Sequence, residues 1–209
     1  MAPDVPQKEF YDALADRIGV SSAERLKGST AGIAGLGGLG SHIALSLARS
    51  GIGRLVVADF DDVDLSNIHR QCYPLSAVGM PKTDAIRNEI ARINPWCNVE
   101  CHHIRIDKEN VSIFSDCDVV CEAFDDAQQK IMLIEALSGM DKTVVSGNGM
   151  AGIGDSNSIV TRKIADKIYV CGDGESDVRD EGTITESRVA VCAAHQANAA
   201  VRIILGLEP

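Results

Sequence analysis

The chain is short of four things: aromatic residues, long apolar runs, paired cysteines and basic charge. Each shortage excludes something. Only 4% of the 209 residues are aromatic, so any core must be aliphatic. Ala, Val, Ile and Leu are spread along the whole length, the texture of helices packed on a buried parallel sheet. No apolar run approaches the roughly 18 residues of a membrane span, which predicts no membrane association. Met1 to Phe10 carries acidic residues and proline but no apolar stretch. No secretory signal is therefore expected, and the expected location is the cytoplasm.

Twenty Lys and Arg face thirty Asp and Glu, a net charge of −10. Phosphate backbones are gripped by clustered Lys and Arg, and no basic stripe is present, so a nucleic-acid partner is not expected. The seven cysteines, at 72, 97, 101, 117, 121, 171 and 192, form no C-x-x-C pair. Cys97/Cys101 and Cys117/Cys121 share one spacing, but neither has a second pair at zinc-ribbon distance. They read as small buried hydrophobes in a reducing compartment. There is no internal repeat, low-complexity tract or linker, so residues 1–209 are expected to form a single domain.

Apolar positions at helical spacing (Phe10, Leu14, Ile18, Leu26) predict one or two leading helices within 1–28. Ala31 to Leu36 reads as a strand running into glycines, and Ser41 to Ser50 as a helix stopped by Gly51 and Gly53. Further strands are expected at 54–59, 98–104, 118–123 and 142–146, with helices at 82–93 and 127–137. This β-α-β rhythm implies right-handed crossovers and a doubly wound, Rossmann-like, mostly parallel sheet of the α/β class. After Gly147 the texture changes. Residues 158–162 and 167–171 alternate like an antiparallel pair, 172–187 reads as a mobile loop, and 189–205 as an Ala-rich helix.

The first chemical motif is Gly35-Leu36-Gly37-Gly38-Leu39-Gly40, between a strand and a helix. Glycine permits close backbone approach to a phosphate, and a helix N-terminus presents free N–H groups and a positive dipole end. Asp59 ends the next strand, at the spacing of an acid that takes ribose hydroxyls. These features predict nucleotide binding by Gly35, Gly37, Gly38, Gly40 and Asp59. They do not separate NAD, FAD, S-adenosylmethionine and ATP.

Residues 59–71, DFDDVDLSNIHRQ, favour ATP. Arg70 can neutralise phosphate charge and Asn67 can orient phosphates by hydrogen bonds. Lys82, opening the helix after Gly79-Met80-Pro81, can supply a second cation to departing pyrophosphate. Asp125 follows the fourth strand, where open α/β sheets bind ligands, and a hard carboxylate there suits Mg²⁺. Helix capping by Asp125 is compatible with that role. Asp61, Asp62 and Asp64 read as a solvated run, His102 and His103 point to opposite strand faces, and His195 is assigned to packing or surface.

Three motifs in order, GLGGLGS, DFDDVDLSNIHRQ and GMPKTDAIRNEIARINP, resemble the ThiF/MoeB/HesA family, bacterial relatives of ubiquitin-activating enzymes. The similarity covers roughly residues 30–147, and the later stretch is most similar to short ThiF-like members linked to thiamine biosynthesis. The resemblance implies ATP-dependent adenylation of the C-terminal carboxylate of a small ubiquitin-like sulfur carrier ending in Gly-Gly, with a homodimeric enzyme. It implies that Gly38 and its neighbours lie under the nucleotide and that Asp59 holds the ribose. Ser66, Asn67, Arg70, Gln71 and Lys82 would contact ATP, and Asp125 would hold Mg²⁺ with Asp126 beside it.

Three departures from the family pattern stand out. The C-x-x-C zinc pairs are missing, so no structural zinc is expected. The N-terminal arginine that reaches a partner's ATP site has only Arg17 or Arg25 as possible counterparts. For the sulfur-handling cysteine, Cys171 is the best-placed candidate. Three other functions compete with the carrier reading: activation of a carboxylate on a modified tRNA base, NAD-dependent redox chemistry, and a non-catalytic nucleotide-binding scaffold.

Overall fold

A computed structural model describes residues 5–209, so the first four positions of the N-terminal stretch lie outside it. The leading helices are α1, Gln7–Ile18, and α2, Val20–Lys27. They are followed by β1 (Thr30–Ala34), α3 (Gly38–Arg49), β2 (Arg54–Ala58), α4 (Lys82–Ile93), β3 (Asn98–His102), β4 (Val119–Glu122), α5 (Ala127–Gly139) and β5 (Thr143–Gly147). The last section holds the hairpin β6 (Val160–Ala165) and β7 (Ile168–Gly172), the short α6 (Val178–Glu181) and the long α7 (Glu186–Ile204).

The seven strands form one sheet in the order β3-β2-β1-β4-β5-β7-β6. Every neighbouring pair is parallel except β6 with β7, as the change of texture after Gly147 predicted. Strand residues alternate between two faces. Ile33, Leu55 and Val57 face a core built with Ile43 and Leu47 of α3, Ile86 and Ile90 of α4 and Ala200 of α7. Ala34, Val56 and Val120 face the opposite core, around Phe114 and around Leu133 and Leu137 of α5. Aliphatic side chains of modest size fill both layers, which is why so few aromatics suffice.

Two boundaries differ from expectation for one local reason. The first strand stops at Ala34 because Gly35 takes a φ of 91°, which breaks the extended run. The following helix starts at Gly38 rather than Ser41, so half of the glycine turn is already the first turn of α3.

The segment 172–187, expected as a mobile loop, contains α6 and is fastened at its base. Asp173 accepts backbone N–H bonds from Glu175 and Ser176, at 2.9 Å each. It also pairs with Arg188, which is only 4% exposed. Among the described residues no helix is long and apolar enough to cross a membrane.

Candidate functional site

The sheet order reverses at β1 and β4: the chain leaves β1 towards β2 and returns from β3 to β4 on the other side. Such a reversal opens a crevice at the carboxyl ends of the strands. The predicted residues fall on the segments that leave β1, β2 and β4 at that edge.

The glycine turn is strapped to β2. Gly35 N donates to Ala58 O at 2.8 Å, Leu36 N donates to Asp59 Oδ2 at 2.6 Å, and the Tyr73 hydroxyl donates to Leu36 O at 2.8 Å. Its glycines answer different needs. A Cβ on Gly40 would lie 1.9 Å from Gly35 O, so that residue permits close packing. A Cβ on Gly37 would meet nothing nearer than Gln71 Nε2 at 3.9 Å. The space above Gly37 is therefore open, and no side chain caps the N-terminus of α3 there. Uncapped N–H groups facing open space form a ready anion site.

Gln71 lies beside the turn, its Nε2 3.9 Å from where a Cβ on Gly37 would stand. It is only 8% exposed, and its Oε1 is shielded from water yet has no hydrogen-bond partner among the described residues. His42 Nε2, Arg188 Nε and Gln196 Oε1 are in the same condition, so this oxygen does not by itself mark a ligand.

Asn67 and Arg70 lie on a 3₁₀ turn, Leu65–Arg70. Three residues per turn bring positions three apart onto one side. Arg70 Nη2 accordingly donates to Asn67 Oδ1 at 2.8 Å. Asp64 caps this turn through Ser66 N. The Ser66 hydroxyl, assigned to ATP by resemblance, donates to the same Asp64 carboxylate.

Asp59 is 7% exposed, and both its oxygens accept backbone N–H bonds, from Leu36 and from Asp61 at 2.8 Å. One lone pair on each remains for a ribose hydroxyl. Burial pushes its pKa above the usual Asp value, against the pull of Lys82 and those amides. Lys82 is 5% exposed, donates to Asp61 Oδ2 at 2.7 Å and lies 3.8 Å from Asp59 Oδ1. An open cleft of about 440 Å³ adjoins it, lined in part by Asp61, Asp64, Asn67 and Gly79.

After β4 the two acids have separate tasks. Asp126, not Asp125, caps α5, accepting from Gln129 N at 2.8 Å. Asp125 stands exposed beside it. Among the described residues no three His, Cys, Asp or Glu side chains are grouped to hold a metal ion. Asp125 fits Mg²⁺ only as one carboxylate completed by phosphate oxygens and water, the usual manner for that ion.

Cys171 does not join the site. It is fully buried in β7, and burial pushes its thiol up to about 11. A protonated, enclosed thiol makes a poor nucleophile. Arg25 is directed to Ile204 O at the end of α7, and Arg17 is exposed on α1. Sequence reasoning missed Tyr73 and an ion pair between the buried Glu122 and the part-buried Lys130. The stretch DVVCEA carries two acids, Asp118 and Glu122, and nothing in the sequence singles out the second or ties it to Lys130.

A family model described as the ThiF family matches residues 11–209. A tRNA threonylcarbamoyladenosine dehydratase of Bacillus subtilis (strain 168) is 41% identical over 137 residues, 64% of this chain and 54% of that protein. An adenylyltransferase and sulfurtransferase MOCS3 of Drosophila yakuba is 33% identical over 204 residues, 91% of this chain and 43% of that protein. The chain thus spans about half the length of these curated relatives or less. A crystal structure of E. coli tRNA N6-threonylcarbamoyladenosine dehydratase, TcdA, in complex with AMP superposes with a TM-score of 0.86 over 95% of both chains. Its sequence identity is 22%, so that likeness is one of fold.

Proposed function

Because the chain belongs to the ThiF family, we propose that it activates a carboxylate by ATP-dependent adenylation. The observation that carries this reading is the arrangement at the glycine turn. An open, uncapped helix N-terminus adjoins the turn that carries the Asn67–Arg70 pair.

In the proposed reaction a carboxylate oxygen attacks the α-phosphorus of ATP in line. A phosphorus–oxygen bond forms, the bond to pyrophosphate breaks, and pyrophosphate leaves with its electron pair. No protein nucleophile is required. Catalysis consists of positioning and charge stabilisation by Arg70, Lys82 and the N–H groups of the turn. Among the described residues Lys82 donates one hydrogen bond, to a half-exposed Asp61, so two of its three N–H donors remain for phosphate oxygens. Mg²⁺, when bound, neutralises phosphate charge, and Asp125 is the residue that would hold it.

Two carboxylates compete as substrate, and their order changes from the one expected on sequence. Similarity to the Bacillus dehydratase supports a carboxylate on a modified tRNA base. The second reading, the Gly-Gly tail of a small carrier protein, is favoured by the net charge of −10, which opposes a polyanion, and by similarity to the MOCS3 protein. ATP–pyrophosphate exchange separates them. Exchange dependent on threonylcarbamoyladenosine-bearing tRNA supports the first, and exchange dependent on a Gly-Gly carrier supports the second. Exchange with neither would overturn adenylation itself.

A further inference from the structure

A densely bonded ion pair lies outside the residues assigned to ATP. Glu122 is the last residue of β4 and is fully buried. Lys130 of α5 donates to its Oε1 at 3.1 Å and to its Oε2 at 2.9 Å, and places its third hydrogen bond on Gly147 O at 2.9 Å. The Ser146 hydroxyl donates to Oε2 and Phe124 N donates to Oε1 at 2.6 Å. Gln196 of α7, also fully buried, donates from Nε2 to Glu122 O at 2.9 Å and to Val145 O at 3.0 Å. All three donors of the ammonium and four acceptor sites of the carboxylate are filled.

The place of this cluster gives it a use. Glu122 turns back on the backbone two residues ahead, at Phe124, and so fixes the turn from which Asp125 projects. On its other side that turn lies against the phosphate loop: Ala123 N donates to Ala34 O at 2.8 Å, and a Cβ on Gly35 would lie 2.8 Å from Ala123 O. Lys130 locks the same turn to the end of β5 through Gly147 O. An apolar core would hold the two strands together without burying charge, whereas a saturated ion pair holds one backbone turn in one orientation.

We propose that Glu122 and Lys130 are positioning residues that aim Asp125 at the metal-bearing phosphates. They touch neither substrate nor metal, and the inference rests on the adenylation reading. It predicts that loosening the pair weakens ATP binding only where Mg²⁺ takes part.

The test is calorimetric titration of ATP, with Mg²⁺ and with EDTA, into wild type, Asp125→Asn, the paired variant Glu122→Gln/Lys130→Met, and Ser146→Ala. Circular dichroism establishes folding in each. Wild type should bind more tightly with Mg²⁺. The paired variant should lose most of that enhancement, tenfold or more, resembling Asp125→Asn, while its affinity in EDTA stays within twofold of wild type. Ser146→Ala, which removes one hydrogen bond and no charge, should lose a smaller part and keeps the test decisive if the paired variant does not fold. Folded variants that retain the full Mg²⁺ enhancement would overturn the positioning role while leaving adenylation intact. Absence of ATP binding by wild type would overturn the adenylation reading and this inference with it.

Discussion

Two lysines, Lys82 buried and Lys130 part-buried, stand on opposite sides of β1, and their surroundings differ in kind. Lys82, beyond β2, has one close partner, Asp61, whose side chain is 48% exposed, and a more distant one, Asp59. Lys130, beyond β4, has every donor spent on groups that do not reach solvent freely. The β2 side is therefore an open arrangement whose charge can be redirected to a ligand. The β4 side is closed, and its charge is consumed in holding backbone. Burial alone would have ranked them the other way, since the Lys82 side chain is 6% exposed and the Lys130 side chain 20%; the count of uncommitted donors distinguishes a ligand group from a strut.

Exchanging the two lysines for methionine breaks the comparison most directly. Lys130→Met leaves Glu122 buried with no counter-charge, and we expect about 3 kcal/mol of lost stability, measured by denaturant unfolding. Lys82→Met removes the close partner of Asp61, which water already reaches, and a more distant one from Asp59, which keeps two backbone N–H bonds, so a smaller loss of about 1 kcal/mol is expected. It should lower ATP–pyrophosphate exchange by about 100-fold or more, because phosphate charge loses a fixed cation. Equal losses of stability in the two variants would erase the distinction between open and closed sides.

Arg70 sharpens the account of the open side. Its guanidinium is aligned by Asn67, so shape matters as well as charge. Arg70→Ala should reduce exchange by about 100-fold, and Arg70→Lys should recover little of it, since an ammonium lacks the planar fork. Full recovery by lysine would show that charge alone is used there.

The same division marks what the sequence revealed. The open side was legible because its residues are close in the chain and chemically conspicuous. Asn67, Arg70 and Gln71 fall within one short stretch, and Gly35 to Gly40 interrupt an aliphatic run. The alternation of strand and helix sufficed for the sheet because both of its faces are buried. The closed side was not legible. Glu122, Lys130, Ser146 and Gln196 lie up to 74 positions apart and meet only when β4, β5, α5 and α7 assemble. Division of labour between Asp125 and Asp126 depends on one backbone dihedral choice at the start of α5, which residue type does not fix. Segment 172–187 looked loose because its polarity was visible and its anchor, Arg188, lay beyond its end.

The pH dependence of Asp59 tests the open side more finely. Burial raises its pKa, while Lys82 and the N–H groups of Asp61 and Leu36 lower it, with a net rise above the usual 3.8. The folded chain therefore holds this proton to higher pH than the unfolded chain does. Stability linked to Asp59 is fully present below the unfolded value and is lost as pH rises through the raised folded value. Lys82→Met removes an opposing cation, so the folded value should climb further and the loss should extend to higher pH. NMR titration of the Asp59 carboxyl in both proteins reads this, and a fall in the variant would contradict it.

The smallest effect is expected from the closed side's thiols. Cys171 and Cys192 are fully buried, and burial pushes them up to about 11 and about 12. On the open side Cys72 is also pushed up, to about 11, but it is only half-buried, with its Sγ 3.1 Å from His42 Nδ1. Thiolate supply is low in all three, so access should decide the order of reaction. Native alkylation at pH 8 read by peptide mass should therefore mark Cys72 and the half-buried Cys101 well before Cys171 and Cys192. Cys171→Ala should leave pyrophosphate exchange within twofold of wild type, because adenylation needs no thiol and this one cannot reach the crevice. Early labelling of Cys171, or a large loss of exchange on its replacement, would mean that the closed side opens during turnover.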